Sequence, residues 1–217
     1  MNVTLIPLAP LPSALNQPRQ DGLGRRHRIG DHEINRDVLR HFNELLEYLD
    51  LQHPPLECDQ VVSAARELVD GTSPGHSPPC IQQRMRRGAA IDLMLKDHDW
   101  ETRDAAAIRV VVVVVDYLRG SKALIPHVVP VVGRLSDAIV VEAAWPSLAV
   151  EVRQYLAFCR IRHLEATLRG ETHRNFGFTR EQWQAAARAE ADWIAHCGRV
   201  GHDSYLLRDA PARFRVS

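Results

Sequence analysis

The chain has 217 residues, 45% of them hydrophobic and 25% charged, the balance of a protein that folds around a buried core. Lysine plus arginine equals aspartate plus glutamate at 27 each, so the formal charge is zero. Proteins that live on phosphate contacts carry a basic surplus, so nucleic acid is not the expected partner, and no apolar run is long enough to span a bilayer.

Residues 1–30 combine Pro7, Pro10, Pro12 and Pro18 with Gly22, Gly24 and Gly30 and the basic cluster Arg25, Arg26, His27, Arg28. That mixture repeats neither a helical nor a strand period. It predicts a flexible or loosely docked arm, whose Leu5, Ile6, Leu8 and Leu11 can lie along a folded body in extended form. Its apolar stretch lacks a basic start and does not read as a secretion signal. The widely spaced Cys58, Cys80, Cys159 and Cys197 read as reduced core thiols, and both features point to the cytoplasm.

Asp31 is an N-cap candidate for a first helix, in which Ile34, Val38, Phe42, Leu45, Leu46 and Leu49 recur at helical spacing until Pro54 and Pro55 stop it. A second helix passes through Val61, Val62, Ala65 and Leu68 to Gly71. After a Ser/Pro/Gly loop at 72–79, a third extends from about Cys80 to Lys96, with Ile81, Met85, Ala89 and Leu93 on one side. Arg84, Arg86 and Arg87 fall mostly on the other. The six valines at 110–115 are β-branched and, taken alone, read as a strand. The preceding Asp104-Ala-Ala-Ala, a cap at Thr102 or Asp99, the ending at Gly120 and the lack of a second strand to pair with predict a fully buried central helix instead.

Pro126 and Pro130 forbid a regular helix at 124–133 and predict a tight apolar corner. Beyond it Ser136 caps a short helix through Ile139, Val140 and Ala143. Pro146 then opens another, through Leu148, Val152, Leu156 and Leu164 to Gly170. The last helix starts at a capping box, Thr179 to Gln182, and ends at Gly198, turning Trp183, Ala186, Ala187, Ala191 and Ile194 inward. The expected fold is all-α: a single-domain helical bundle of about six to seven helices, with a proline-rich corner between two central apolar helices. Its parts are the arm at 1–30, a helical domain at 31–198 and an irregular tail at 199–217.

Around the corner, Tyr117, Leu118, Leu124, Ile125, Pro126, Pro130, Gly133 and Asp137 stand at the spacing of a known pattern. That pattern is a helix ending in Tyr-Leu, then Pro-x-Asp-Leu-Ile-Pro-Asp, then x-Ile-Pro-x-x-Gly-x-x-Asp-Asp and an apolar helix. Over about residues 101–168 the chain thereby resembles the YkvA-like family, a domain of unknown function, with roughly 40 of the 217 residues carrying the match. The resemblance implies a helical hairpin with a proline corner and, because the hairpin of some relatives looks membrane-associated, a peripheral membrane contact. It brings no activity. Three of the pattern's acidic positions hold Ala123, His127 and Ser136 here, leaving Asp137, so cation binding or proton chemistry by those acids is not implied.

The corner residues Pro126, His127, Pro130, Gly133 and Asp137 form the candidate set for touching a ligand or partner. Pro126 and Pro130 stiffen the turn, Gly133 permits a positive φ or a close approach, and Asp137 suits a helix start. Arg25, Arg26 and Arg28, with Arg84, Arg86 and Arg87, make two basic clusters suited to an anionic partner, or simply to solvated surface. The eleven histidines show no ligand pair at helical spacing. The nearest groupings are Asp97-His98-Asp99, Glu171 with His173, and His196-Cys197 with His202-Asp203, so no metal, cofactor or catalytic residue is expected. The first functional expectation is a non-enzymatic protein that binds a protein partner or a second copy of itself. The alternatives are a peripheral membrane protein docking through the 124–132 corner, and a small-ligand-binding or enzymatic domain using His127, Asp137 and His163.

Overall fold

A computed structural model describes residues 8–17, 26–73, 76–102, 104–120, 123–172 and 176–202. Six α-helices build it: α1 Arg36–Leu49, α2 Cys58–Gly71, α3 Pro79–Lys96, α4 Ala105–Arg119, α5 Leu135–Leu168 and α6 Arg180–His202. The all-α class read from the sequence is what the chain adopts. Among the described residues the one sheet is a small antiparallel ribbon, β1 Arg28–Ile29 on β2 His32–Glu33, turned by Gly30 at a φ of 58°. The ribbon takes up the residues proposed to start α1. Asn35 rather than Asp31 therefore caps that helix, its side-chain oxygen accepting from the amides of Asp37 and Val38 at 2.7 and 3.4 Å. No helix among the described residues is long and apolar enough to cross a membrane.

The chain divides into two compact units, Met1–His98 with Thr102–Leu156, and Asp99–Glu101 with Ala157–Ser217. The first unit holds the larger core. Phe42 and Leu46 of α1, Val61 and Ala65 of α2, Ile81 and Ile91 of α3, Val111, Val114 and Val115 of α4, and Leu135, Val140, Ala144 and Leu148 of α5 are all buried in it. The valine run is helical because Asp104, accepting from the amide of Ala106 at 2.8 Å, starts a helix that tertiary burial then sustains. It is not fully buried, however: Ile108 and Val112 face outward, since only one stripe of a helix can meet the core.

The phase of α3 also differs from expectation. Residues repeating strictly every four positions drift around a helix of 3.6 residues per turn, so Ile81, Met85, Ala89 and Leu93 do not share a face. The buried stripe is Ile81, Arg84, Gly88 and Ile91, and Leu93 is exposed. Gly88 lets α4 and α5 approach α3: a Cβ there would lie 3.0 Å from Leu118 Cδ1 of α4 and 3.4 Å from Val141 Cγ2 of α5. Arg84, 2% exposed, is tolerated in the stripe because its Nε donates to Glu142 Oε2 at 3.0 Å and its Nη1 to the carbonyls of Ala9 and Cys80 at 2.8 and 3.0 Å.

Those bonds make the N-terminal segment 8–17 part of the fold. Gln83 accepts from the Ala9 amide at 2.7 Å, Glu67 accepts from Ser13 and Ala14, and Gln60 donates to the Gln17 carbonyl at 2.8 Å. Pro12 is buried, with Ala14 and Leu15 of the 3-10 turn Ser13–Asn16; Leu11 is half-buried, and Leu5 and Ile6 lie outside the described residues.

Helix α5 runs unbroken through Pro146, where two helices were expected. Proline removes the rung to the Glu142 carbonyl, a cost of about 3 kcal/mol. Burial of Ala143 and Ala144 before it and of Leu148 and Val152 after it keeps the two halves in one helix. At its other end α5 starts at Leu135, so Ser136 lies inside the helix, with its side chain buried, instead of capping it.

The second unit is an aromatic cluster. Trp100 meets Phe158 at 5.2 Å and Trp183 at 5.6 Å between ring centroids, while Phe158, Phe178 and Phe176 stack in sequence. Arg180 lies 4.2 Å over the Trp100 ring and donates to the Glu101 carbonyl at 2.6 Å. The predicted capping box opens α6, with the Thr179 amide donating to Gln182 Oε1 at 2.8 Å. The helix continues past Gly198 to His202, into the segment read as tail, and 203–217 lies outside the described residues.

Replacing Gly88 by Val would force α4 and α5 off α3. We expect a loss of about 1–3 kcal/mol in urea unfolding with the m-value unchanged.

Candidate functional site

The corner between α4 and α5 is a set of nested backbone turns. The Leu124 amide donates to the Tyr117 hydroxyl at 3.2 Å, tying the corner's start to the last turn of α4. The Val129 amide then reaches the Pro126 carbonyl at 3.0 Å, Gly133 reaches Val129 at 2.9 Å, and Leu135 reaches Val132 at 2.9 Å. Between them the Val132 amide bonds the Pro130 carbonyl at 2.7 Å around Val131, whose φ is 67°. This is a γ-turn of the rare positive-φ kind, on a β-branched residue that disfavours it. Gly133 serves the close approach and not the positive φ: a Cβ there would sit 2.5 Å from the His127 carbonyl oxygen and 2.8 Å from that of Val129.

Asp137, in the first turn of α5, is 0% exposed. Its Oδ2 accepts from Arg134 Nη1 at 2.8 Å and lies 3.1 Å from His127 Nε2. Its Oδ1 is buried with no hydrogen-bond partner among the described residues. A buried carboxylate needs such partners, because taking a charge out of water costs several kcal/mol per ion. The Tyr117 ring lies 5.7 Å from that of Phe42, and burial pushes its hydroxyl above its ordinary pKa of 10.0. The corner thus joins His127 to Asp137 and sets Pro126, Pro130 and Gly133 in the turns that bring them together.

A groove of about 310 Å³ opens on this corner, lined by His76, Ser77, His127, Val129, Pro130, Val131, Gly133 and Arg134. Arg134 was not among the residues singled out from the sequence, although its spacing of three from Asp137 on a helix start was legible. His76 and Ser77 come from the loop before α3, and nothing in their spacing signals the encounter. His163 is exposed on α5 in the second unit.

The corner's apolar side chains divide between the core and the surface. Leu124, Ile125 and Val132 are buried, and Val128, 88% exposed, is the large apolar residue left outside.

The basic clusters are reduced by the fold. Arg84 is withdrawn into the core, and Arg87 lies half-buried 3.9 Å over the Trp145 ring and 3.7 Å from Glu142. Arg26, Arg28 and Arg86 remain exposed, while Arg25 lies outside the described residues. Cys80 is buried and Cys58 half-buried, and burial pushes both thiols above their ordinary pKa, whereas Cys197 is exposed instead of lying in the core. No group of three or more histidine, cysteine or acidic side chains suited to a metal occurs among the described residues; His173, Asp203 and the side chain of His202 lie outside them. No protein-family model matches the chain, and no curated protein or solved structure is significantly similar to it.

Val131→Gly removes the strained β-branched centre of the γ-turn, and we expect it to raise stability by about 1 kcal/mol in thermal or urea unfolding. Gly133→Ala drives a methyl group into two carbonyls, and the same measurement is expected to show a loss of about 1–3 kcal/mol.

Proposed function

We propose that the chain is a non-enzymatic helical protein that works by binding a protein partner, and that its contact surface is the outer part of α6. The observation that carries this is the exposure of Trp193 and Ile194, 66% and 63%. Taken at 100° per residue, Ile194 continues the stripe on which Trp183, Ala186 and Ala187 are half-buried, with Ala191 and Trp193 at its two edges. Glu190 is the one acid on that stripe. The face expected to point inward therefore packs only over its first turns and then runs on exposed, where large apolar side chains mark an interaction site.

The stripe's spacing suits an amphipathic helix of the partner lying along it. Burying one Trp or Ile of this kind contributes about 1.5–3 kcal/mol, enough to make each a centre of binding energy. We read the segment around the corner as a YkvA-like hairpin, supported by the helix–corner–helix order at Tyr117 to Asp137, and the protein as cytoplasmic, supported by its free cysteines. Membrane docking through 124–132 finds less support, since Leu124, Ile125 and Val132 are turned inward.

Crosslinking followed by purification from the native host, with Ile194→Asp and Trp193→Ser beside the unaltered chain, tests this reading. We expect a stoichiometric protein partner whose recovery falls by about tenfold or more in both variants, each keeping its circular dichroism and melting temperature. Undiminished recovery in both variants, or the recovery of lipid in place of protein, would sink it. Sedimentation velocity of the pure protein tells whether the partner is a second copy.

A further inference from the structure

We propose that the groove on the α4–α5 corner is a binding site for a small organic anion, a carboxylate or phosphate group on a compact apolar body. It belongs to the first unit and rests on observations separate from the α6 stripe.

The polar side chains that line the groove are His76, Ser77, His127 and Arg134, every one a donor or a cation, and its lining contains no carboxylate. Asp137, the acid that Arg134 and His127 contact, is itself fully buried. There it acts as a positioning residue. One guanidinium nitrogen of Arg134 bonds Asp137, which holds the fork in place while the side chain as a whole stays 48% exposed. Likewise Nε2 of His127 is held at 3.1 Å from the carboxylate while the ring stays 33% exposed on the groove. Nε2 is the ring nitrogen turned to Asp137, which leaves Nδ1 as the one to meet the ligand. A planar guanidinium with free N–H groups, fixed from behind by a buried acid, is the arrangement that takes an oxyanion in two parallel hydrogen bonds.

The remaining wall is apolar, with Val129 and Val131 beside Pro130 and Gly133, and the volume of about 310 Å³ admits a small molecule and excludes a folded chain. Val131 is also the residue held at a φ of 67°. Strain of that kind persists where surrounding structure over-determines a backbone and gathers at ligand clamps. The loop carrying His76 and Ser77 faces the corner from the start of α3, so two separate stretches of chain line the groove.

Two probes decide it, inorganic phosphate for the anionic group alone and isobutyrate for an anion with an apolar body. Each is titrated into the full chain while ¹⁵N-labelled histidine side-chain and backbone amide signals are followed. We expect saturable shifts at His76, His127 and the amides of 129–134, with a millimolar dissociation constant for at least one probe. Arg134→Gln should weaken binding by about tenfold or more, the scale of a lost charge-assisted pair. Because Arg134→Gln leaves Asp137 buried with one partner fewer, His76→Ala serves as the second variant. It leaves the Asp137 contacts intact and should weaken binding severalfold with the melting temperature unchanged. Non-saturating shifts, or saturation with equal affinity in both variants, would overturn the proposal.

Discussion

A carboxylate sealed at the head of a helix needs polar partners, and the way Asp137 finds them shapes the corner between α4 and α5. Arg134 stands just before α5 and His127 on the far side of the corner, so bringing both to Asp137 Oδ2 draws the chain into a closed turn. The turn leaves no room for a side chain at Gly133 and forces a positive φ on Val131, strain of roughly 1–3 kcal/mol that the surrounding bonds hold in place. Once closed, the corner turns Leu124, Ile125 and Val132 inward and sets the direction in which α5 leaves. It also leaves the outer faces of His127 and Arg134 on a groove with no acid in its wall.

Arg84 follows the same logic elsewhere in that unit. A buried guanidinium on α3 is held by Glu142 of α5 and by backbone carbonyls, one of which belongs to Ala9. A proline-rich segment with little periodicity of its own is thereby fastened through its backbone, which requires no special side-chain sequence. Glu142 lies one turn before Pro146, and its pairing with Arg84 anchors α5 just ahead of the rung that the proline removes.

In the second unit, aromatic packing takes the place of buried charge. Trp100, Phe158, Phe178 and Trp183 gather around one end of α6, and the apolar face of that helix runs on beyond them. A helix end with Trp193 and Ile194 in water gains most when something covers it, and this distinguishes it from the corner, where Leu124, Ile125 and Val132 are already buried. The two proposed activities therefore rest on different chemistry, apolar burial on α6 and anion recognition at the corner.

The sequence by itself determined the helical class, the existence of α1 to α4 and α6, the proline corner and the capping box at Thr179, because these depend on local periodicity and on side chains that bond their own backbone. It also drew attention to His127 and Asp137, through their place in a spaced motif. Only the tertiary structure decided which face of α3 is buried, because Arg84 enters the core with Glu142 and Ala9, both distant in sequence, among its partners. Long-range packing likewise carried α5 across Pro146, where local rules alone would start a new helix. The meeting of His76, His127 and Arg134 on one groove, and the burial of Asp137 behind it, were hidden for the same reason. They arise from the folding of one stretch of chain against another, and no residue spacing within either stretch records that contact.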